Sequence, residues 1–549
     1  MCVLAMYDVR GIQAYIFRTN KVKDIIGASA LVDNIIQKAF REAVGKVFGA
    51  SKEQVVIEKW EEEKGEEIRF LSDETIRAQL LLIGGGNAYI LYRSREECRE
   101  VNKAMAKYIL DQTYSLQLAV SVTEMTGDYY KDYREVSRRM GDVKASMPLS
   151  MPVGALPIVK VDEVTGYPLT TYDRAGKEYI STESARKREN IPREEEEAKK
   201  FDNLITEKGE ESLLAIVHID GNSMGDMIRR TMQSLSESDR SSYAKSITVM
   251  RDISLSIKEN FEGTYKAMEE YLGQWQKSEK NTVLEPKGTY LRRIVTAGDD
   301  ITFVVNARLA IALTEFFLKD VSKKSISVKG EEKNDGSYGI SACAGIAFIH
   351  SHFPFSIGYE IAEKCCKKAK ERAKSTENRE GNVIGSWVDF QLCNNVQLVN
   401  LEDYRDKYYK VADGKTLLKR PYYVEYDVLG SQDEKAVSDE TCLDQIKKKM
   451  NQKNAGYSIE QFKKGMKYFR VFPQSAVKRM RNSYILGEQA MGHLITFEAS
   501  RKRYMPDDLN LDGSVSAFDE AGCAKWYDIL EMWDMYTDMD DEQDRRDDR

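Results

Sequence analysis

The chain has 549 residues, of which 42% are hydrophobic, and its 82 basic and 89 acidic residues give a net charge of −7. This length corresponds to about three or four domains with sizeable cores. The charge balance excludes a globally basic surface for nucleic acid, although a local groove can still be basic. No run of about 18 apolar residues exists, so no membrane span is expected. Eight cysteines without CxxC spacing predict reduced thiols in a cytoplasmic protein, and four histidines do not favour a histidine-rich nuclease centre.

The first 125 residues predict an α+β unit with a glycine-rich hairpin. Apolar patterning predicts four strands, at 2–8, 79–83, 88–92 and 116–122. It also predicts two helices, from 25 to about 47 and from about 95 to 112. The turn between the second and third strands contains Gly84, Gly85 and Gly86. Close approach of a ligand to the backbone explains three glycines in a row, and a flexible turn is the alternative.

A second α+β unit is predicted over 212–395, and its central strand ends in an acid. The apolar run 213–219 precedes Asp220, which indicates a buried central strand. The loop after it should lead into a helix, where free backbone N–H groups can hold phosphate oxygens. The candidate phosphate-binding residues of this loop are Gly221, Asn222, Ser223 and Gly225.

Two adjacent carboxylates mark a predicted hairpin over 294–305. Its strands flank the turn 297–300 (AGDD), which contains Asp299 and Asp300. Two acids at a hairpin tip repel each other unless a cation lies between them, and hard oxygen ligands suit Mg²⁺ or Mn²⁺. An ordinary polar turn is the alternative. Together with Asp220, these acids form the candidate catalytic and metal-binding set.

The two units repeat the same order of elements: strand, helix, hairpin, helix and strand. The spacing from Asp8 to Gly86 nearly equals the spacing from Asp220 to Asp299. We infer an internal duplication of a βαββαβ palm in which only the second hairpin binds metal. A coincidence between two unrelated α+β units is the alternative.

The remaining segments give weaker signals. Residues 126–211 predict a small subdomain and a solvated charged helix that links the two units. The segment 388–391 predicts an edge strand that closes the second sheet. Residues 396–549 predict a helical C-terminal domain with helices near 458–470 and 473–497. The polar tail from Asp538 onward is expected to be disordered.

Two further motifs have both a functional and a structural explanation. The predicted helix 357–374 carries Lys367 and Lys370, which are candidates for contacting a triphosphate, although a solvated lysine face explains them too. The segment 508–519 fits an EF-hand-type calcium loop, with Asp519 in place of the usual final Glu. Asx-turn chemistry explains the same residues without Ca²⁺.

These motifs resemble the large subunit of type III CRISPR–Cas effector complexes, the Cas-ten-like palm nucleotide cyclases. The resemblance covers about residues 1–395, and its motifs are 8–13 (DVRGIQ), Phe17, 27–29 (GAS), 84–87 (GGGN), Asp220 with 224–225, 297–300 (AGDD) and 344–347 (AGIA). It implies two ferredoxin-like palms packed face to face and pseudo-symmetrically, with ATP between them, and a helical last domain. It also implies synthesis of cyclic oligoadenylates as antiviral second messengers, with CRISPR effector subunits and guide or target RNA as possible partners.

The chain departs from that family in three ways. It begins at the first palm, so the family's HD nuclease domain is expected to be missing and DNA cleavage absent. The inter-palm segment has no cysteine pairs, so the family's zinc site is not carried over. Ala297 replaces the first glycine of the turn, and alanine resists positive φ.

The predicted function is a Mg²⁺-dependent nucleotidyl transferase that acts on nucleoside triphosphates. Asp220, Asp299 and Asp300 would hold the metal, and the first palm would hold the acceptor nucleotide through Ser29 and Gly84 to Gly86. One alternative is a catalytically silent scaffold that binds RNA or partner subunits, although a scaffold has no need of two repelling acids. Another is a GTP-using cyclase of the diguanylate-cyclase type, although the turn lacks the Glu-Phe of that family.

Overall fold

The computed structural model describes the chain apart from several internal segments and the last residues. The residues outside the description are 20, 58–67, 85, 149–157, 193–203, 205–211, 279–280, 282–283, 285–287, 328–336, 376–377, 381–382, 394–399, 412, 428–441, 506–515 and 541–549. Among the described helices, none is both long and apolar enough to cross a membrane.

The N-terminal palm is built on five strands. They are β1 (Val3–Arg10), β2 (Val55–Val56), β3 (Ala78–Gly84), β4 (Asn87–Tyr92) and β5 (Gln117–Glu124). The strand order is β2-β3-β4-β1-β5, and β1 runs antiparallel to both β4 and β5. Five consecutive residues of β1, from position 3 to position 7, are buried, as a near-continuous apolar run in a central strand predicts.

Six helices accompany this sheet. They are α1 (Ile12–Phe17), α2 (Val22–Val32), α3 (Ile35–Phe48), α4 (Arg69–Ser72), α5 (Arg95–Thr113) and α6 (Tyr129–Ser146). The prediction of a single helix from 25 to about 47 is wrong, because the helix is interrupted between α2 and α3. Asp33 leaves the helical region and Asn34 adopts a left-handed φ of 55°, a conformation that asparagine tolerates better than most residues.

A hairpin and a short helix join the two palms. They are β6 (Leu169–Asp173), β7 (Glu178–Ser181) and α7 (Thr182–Glu189). Helix α7 packs on α2, where Arg188 Nε lies 2.6 Å from Asp24 Oδ1. Lys187 and Glu183 form a buried ion pair at 2.7 Å. The described part of this segment is therefore attached to the first palm.

The second palm has a larger sheet. Its elements in chain order are β8 (Leu213–Gly221), α8 (Met224–Ser234), α9 (Glu237–Ser241), α10 (Tyr243–Gln276), β9 (Leu291–Ala297), β10 (Asp300–Asn306), α11 (Ala310–Ser322), β11 (Ser325–Ser327), β12 (Ser337–Gly339), β13 (Ala342–His350), α12 (Phe355–Lys374), β14 (Arg379–Glu380), β15 (Val383–Ile384) and β16 (Ser386–Leu392). Strand β8 lies between β10 and β13 and is antiparallel to both.

The C-terminal region is mainly helical and contributes one strand to this sheet. Its elements are α13 (Leu401–Tyr408), β17 (Tyr422–Val424), α14 (Cys442–Asn454), α15 (Ile459–Phe469), α16 (Gln474–Ile485), α17 (Glu488–Ser500) and α18 (Tyr527–Glu531). The complete sheet order is β17-β16-β13-β8-β10-β9. The molecule is thus an α+β protein with two palm sheets and a helical C-terminal region, as predicted.

Three sequence expectations for this half are wrong in detail. The strand predicted at 388–391 is part of β16, which is not the last strand of the sheet, because β17 pairs with its first half up to Val388. The helix predicted over 473–497 is two helices, separated at Gly487, whose φ is 102°. The start of the predicted disordered tail is ordered, because Met539 is buried and Asp540 accepts a hydrogen bond from Tyr271 at 2.8 Å, whereas its positions 541–549 lie outside the described residues.

The two palms share one register. Asp8 on β1 is paired with Asn87 on β4, and Asp220 on β8 is paired with Asp300 on β10. In both sheets the central strand is flanked by the second strand of the hairpin on one side and by a later strand on the other, which is β5 in the first palm and β13 in the second. The pseudo-symmetry inferred from spacing is therefore present in the strand pairing itself.

A glycine in β13 decides how closely α12 approaches the sheet. A Cβ added at Gly345 would lie 2.0 Å from the carbonyl oxygen of Ala362 and 2.2 Å from the nitrogen of Cys366. Both atoms belong to the backbone of α12, so no larger residue fits here without moving the helix. This contact holds α12 against β13 and positions the last turns of the helix near the end of β8.

Candidate active site

The three candidate acids meet where the end of β8 adjoins the tip of the β9–β10 hairpin. Asp300 is the first residue of β10 and pairs with Asp220 on one side and Ala297 on the other. The hairpin loop itself has two residues, Gly298 and Asp299, and Gly298 has a φ of 67°. Two-residue hairpins need positive φ in the loop, which explains glycine at this position. The backbone nitrogen of Gly221 donates to the carbonyl oxygen of Asp299 at 3.2 Å, which joins the tip to the end of β8.

The turn geometry removes one departure from the family pattern. Ala297 is the last residue of β9 and belongs to the strand ladder, whereas the positive φ occurs at Gly298. The residue before the loop therefore has no need of a left-handed backbone, and alanine satisfies it.

Lys370 is the cation that contacts this group. Its Nζ forms an ion pair with Asp220 Oδ2 and donates to the carbonyl oxygen of Gly221 at 2.9 Å. It comes from the end of α12, the helix that Gly345 allows close to the sheet. Lys367, the other lysine predicted here, is exposed on the same helix. The structure therefore brings one of the two predicted lysines to the acids.

Burial and mutual repulsion disfavour the charged forms of the hairpin acids. Burial raises the pKa of Asp299 to about 6 and the pKa of Asp300 to about 7, and in both cases the charge of Asp220 adds to the increase. Lys370 opposes both shifts but does not cancel them. Carboxylates whose environment lacks compensating positive charge attract a cation.

A histidine lies behind Asp300. His218 Nδ1 is 3.1 Å from Thr302 Oγ1 and 3.3 Å from Asp300 Oδ1. Burial lowers the pKa of His218, so the ring is neutral near pH 7 and its contact with Asp300 is not an ion pair. Asp300 Oδ1 is buried and has no hydrogen-bond partner among the residues described.

A residue of the first palm also reaches this site. Gln13, on α1, donates from Nε2 to Asp300 Oδ2 at 2.7 Å. Two side chains from different helices thus contact the acids: Lys370 of the second palm at Asp220 and Gln13 of the first palm at Asp300.

The residues fit a divalent cation, although they do not form a preassembled cage. Within the described part of the chain, no three His, Cys, Asp or Glu side chains are arranged as a metal cluster. The fit rests on two observations: the buried, unbonded Oδ1 of Asp300, and the raised pKa values of two adjacent carboxylates. Asp220, Asp299 and Asp300 would be the ligands, and all three present the hard oxygen atoms that Mg²⁺ prefers.

A cavity of about 470 Å³ lies between the palms beside the hairpin tip. Ser29, Gly84 and Gly86 of the first palm line it, and Gly298 of the second palm faces them. Ser29 Oγ also donates to the carbonyl oxygen of Ile294 on β9. The predicted first-palm residues are therefore placed at the interface, apart from Gly85, which lies outside the described residues.

The loop after β8 lets the hairpin acid approach the strand end and is itself anchored by hydrogen bonds. A Cβ at Gly221 would lie 2.8 Å from Asp299 Oδ2, so glycine lets the hairpin acid approach the end of β8. Asn222 is buried and donates to Ser341 Oγ at 3.1 Å and to the carbonyl oxygen of Gly385 at 3.3 Å, which anchors the loop. Ser223 has a left-handed φ of 55° immediately before α8, and Gly225 is exposed in its first turn.

Sequence reasoning missed three residues that act on the acids. Gln13 belongs to a motif that had been singled out, but no role was given to its side chain. His218 was treated only as part of an apolar strand, although alternation along β8 places it on the same face as Asp220. Glu363, exposed on α12, raises the pKa of Asp300 through its charge, and its spacing from Lys370 on one helix is a signal that could have found it.

The predicted calcium loop falls mostly outside the described residues. Positions 508–515 of the motif lie outside the description. At the end of the motif, Asp519 Oδ1 accepts a hydrogen bond from the backbone nitrogen of Cys523 at 2.8 Å. The described part therefore uses this carboxylate in a turn.

Comparison with known proteins identifies the domain that carries the acids. Residues 213–380 match the model of the Cas10/Cmr2 second palm domain. This segment is therefore similar to the second palm domain of Cas10/Cmr2 proteins. It contains Asp220, Asp299, Asp300 and Lys370, and the resemblance to Cas10-like large subunits is confirmed by the match. No curated protein sequence matches the chain.

Solved structures show the same fold over a longer span. The chain is similar to the apo Csm1–Csm4 cassette, with a TM-score of 0.50 and 13% identity, covering 97% of this chain and 70% of that chain. It is also similar to the Csm1–Csm4 cassette in complex with cA4, at a TM-score of 0.38, 13% identity and coverage of 68% and 53%. The cassette in complex with one ATP gives a TM-score of 0.40, 11% identity and coverage of 69% and 55%. In these ligand-bound cassettes the chain spans about half the length of the chain it matches.

Proposed function

We propose that the chain is a Mg²⁺-dependent nucleotidyl transferase that converts ATP into cyclic oligoadenylate-type second messengers in antiviral defence. The observation that carries this proposal is the position of three carboxylates on a Cas10/Cmr2-type palm, beside a cavity between two palms. A volume of about 470 Å³ lies within the usual range for small-molecule sites. It has room for a nucleoside. The acids themselves do not line it, but Gly298, which does, is the chain neighbour of Asp299, so a triphosphate would extend from the cavity past the hairpin tip.

The first palm would position the acceptor nucleotide. Gly84 lines the cavity at the end of β3, and Gly86 follows it in the turn with a φ of 77°. Without side chains, these glycines let the backbone contact a base or ribose directly. Ser29 is the polar group on the facing helix α2.

The second palm would hold the triphosphate. The start of α8 presents N–H groups that lack partners within the helix, and the helix dipole favours anions at this end. Lys370 adds a positive charge on the other side of Asp220. In the absence of nucleotide, Lys370 neutralises Asp220, and a bound phosphate would compete for the same ammonium group.

Asp220, Asp299 and Asp300 would bind the metal ions. Bound Mg²⁺ would activate a ribose hydroxyl and stabilise the charge on the triphosphate and the leaving pyrophosphate. Strand pairing holds Asp220 opposite Asp300, and the hydrogen bond from the Gly221 nitrogen to the Asp299 carbonyl oxygen holds the loop acid beside them. The Asp300 side chain is only 20% exposed, which strengthens its electrostatic interactions, whereas Asp220 is 38% exposed and is reached by solvent.

We further propose that the chain works with other effector subunits and with guide or target RNA. The support is the Cas10/Cmr2 palm match and the fold shared with a chain of the apo Csm1–Csm4 cassette. The product's ring size and linkage are left to the experiment.

Product analysis tests the function directly. Purified chain is incubated with each labelled nucleoside triphosphate and Mg²⁺, with and without RNA and partner subunits, and products are resolved by mass. We expect oligoadenylates from ATP, and none from the Asp299→Asn/Asp300→Asn variant. Product from GTP alone would favour a diguanylate-cyclase-type enzyme. No product from any nucleotide, in any combination with RNA and subunits, would favour a silent scaffold.

A further inference from the structure

The helix that follows the first strand of the first palm, α1 (Ile12–Phe17), contacts the second palm along one face. Phe17 stacks on Tyr359 of α12, with ring centroids 3.6 Å apart, and it also stacks on Phe355 at 5.8 Å. Gln13 precedes Phe17 by four residues, so both side chains lie on the same face of the helix. The aromatic contacts therefore fix the position from which Gln13 reaches Asp300.

The hydrogen bond from Gln13 constrains one oxygen of a candidate metal ligand. Nε2 donates to Asp300 Oδ2 at 2.7 Å, whereas Oδ1 is buried and accepts no hydrogen bond from the described residues, although His218 Nδ1 lies 3.3 Å away. A carboxylate held by one oxygen cannot rotate freely about its terminal torsion. Gln13 thus leaves Oδ1 in a defined orientation, and outer hydrogen bonds of this kind commonly orient metal ligands.

We propose that Gln13 is a positioning residue that orients Asp300 for cation binding, so that the metal site of the second palm depends on the packing of the first. The proposal rests on the proposed function, since Asp300 is assigned there as a metal ligand. It goes beyond that function because it makes the interface between the palms part of the site. A neutral amide suits this role: it holds the carboxylate without supplying a positive charge that would compete with the cation.

Mn²⁺ binding to the full chain without nucleotide gives a readout that does not depend on turnover. The test variant is Gln13→Met, which keeps the length of the side chain but removes the N–H donor. We expect Mn²⁺ affinity, measured by electron paramagnetic resonance titration, to fall about tenfold, as for loss of an outer hydrogen bond to a ligand. The matched control is Ala14→Met on the exposed side of the same helix, which should change the affinity by less than about twofold.

A double-mutant cycle separates positioning from a general structural role. If Gln13 acts through Asp300, then Gln13→Met should cause no further loss of Mn²⁺ affinity in the Asp300→Asn background. A merely structural effect would lower affinity equally in both backgrounds. Thermal melting of every variant checks folding, and Gln13→Ala provides a second variant if methionine disturbs the interface.

The outcomes distinguish this inference from the proposed function. Wild-type Mn²⁺ affinity in a folded Gln13→Met protein would overturn the role of Gln13 while leaving the function standing. Equal losses in both backgrounds would also overturn it. Failure of the wild-type chain to bind Mn²⁺ would overturn both. A Gln13 effect on Mn²⁺ without product formation by the wild type would support the positioning role and count against catalysis.

Discussion

The two palms have the same frame but carry different charge at the same place. In the first palm Asp8 lies two residues before the end of the central strand, Asn87 lies opposite, and Lys144 of α6 forms an ion pair with Asp8. In the second palm Asp220 occupies the matching position and pairs with Lys370 of α12. The two lysines occupy the same position relative to the start of their helices. Both halves therefore carry a carboxylate–lysine pair at the matching position.

The difference lies at the hairpin. The first palm has one carboxylate and one lysine, so its charges balance. The second adds Asp299 and Asp300 without adding a lysine at the acids, and burial raises the pKa of both. A buried acid near the end of a central strand is therefore not by itself a metal site. The second palm differs because Lys370 neutralises only Asp220, so the negative charge of the other two acids remains.

The largest expected effect comes from replacing Asp220, and the matched comparison is its counterpart in the first palm, Asp8. Asp220→Asn should reduce product formation by more than about 100-fold, because loss of even an outer partner of a metal ligand costs 10- to 100-fold. Asp8→Asn removes only the partner of Lys144 and should leave activity within about threefold of the wild type. Product assays on folded proteins provide the measurement. Equal losses would mean that the first palm also supplies a metal ligand.

The second prediction concerns stability without metal. The folded-state pKa values of Asp299 and Asp300 are raised to about 6 and about 7, so protonation favours the folded state. This contribution is fully present below about pH 4 and is lost as the pH rises to about 7. Replacing both acids with asparagine removes the pH-dependent loss. At pH 7.5 in EDTA, the double variant should be as stable as the wild type or more stable, by a gain on the order of 2 kcal/mol.

Denaturant unfolding of both proteins between pH 4.5 and pH 7.5 measures this gain. The difference should shrink toward the acid end of the range. The double variant should also lose the stabilisation that Mg²⁺ plus ATP gives the wild type. If the acids were ordinary turn residues, the variant would be destabilised at every pH and the response to Mg²⁺ plus ATP would survive.

The third prediction compares the two lysines of α12. Lys370 contacts Asp220, whereas Lys367 is exposed. Lys370→Met should raise the KM for ATP about tenfold, the loss of one charge-assisted contact to phosphate. The matched variant Lys367→Met should change it by less than about twofold. Steady-state kinetics with both variants test the assignment, and a larger effect at position 367 would show that the triphosphate lies along the outer face of the helix.

Much of this arrangement followed from local patterns in the sequence. The apolar run before Asp220 and the acidic hairpin predicted the strand end and the turn, because strand period and turn chemistry are local properties. The similar spacing of the motifs in the two halves predicted that the strand end and the turn would lie side by side in both palms. Gly298 was recognisable as the turn glycine for the same reason.

The parts that failed depend on contacts distant in sequence. Asn34 interrupts the helix predicted from 25 to about 47. Asparagine tolerates the left-handed region but ends a helix only where the tertiary fold requires it, so the apolar period did not predict the break. The strand β16 is covered over its first three residues by β17, which comes from the C-terminal region. The bond from Gln13 to Asp300 crosses from one palm to the other. Neither hydrophobic periodicity nor the spacing between motifs predicts a contact of this kind.

The smallest effects should come from the turn residues that carry no charge. Gly298 has a φ of 67°, and a Cβ added there meets no atom within 4 Å. The cost of Gly298→Ala is therefore conformational, about 1 kcal/mol, and a shifted hairpin tip should lower turnover a few-fold. Ala297 belongs to the strand ladder, so Ala297→Gly should cost roughly 0.5 kcal/mol and leave turnover nearly unchanged. Melting curves and product assays on the two variants test this contrast. If Ala297→Gly changed turnover more than Gly298→Ala, the backbone at the tip would have to differ from the two-residue turn, and the alignment of Asp299 and Asp300 with Asp220 would need revision.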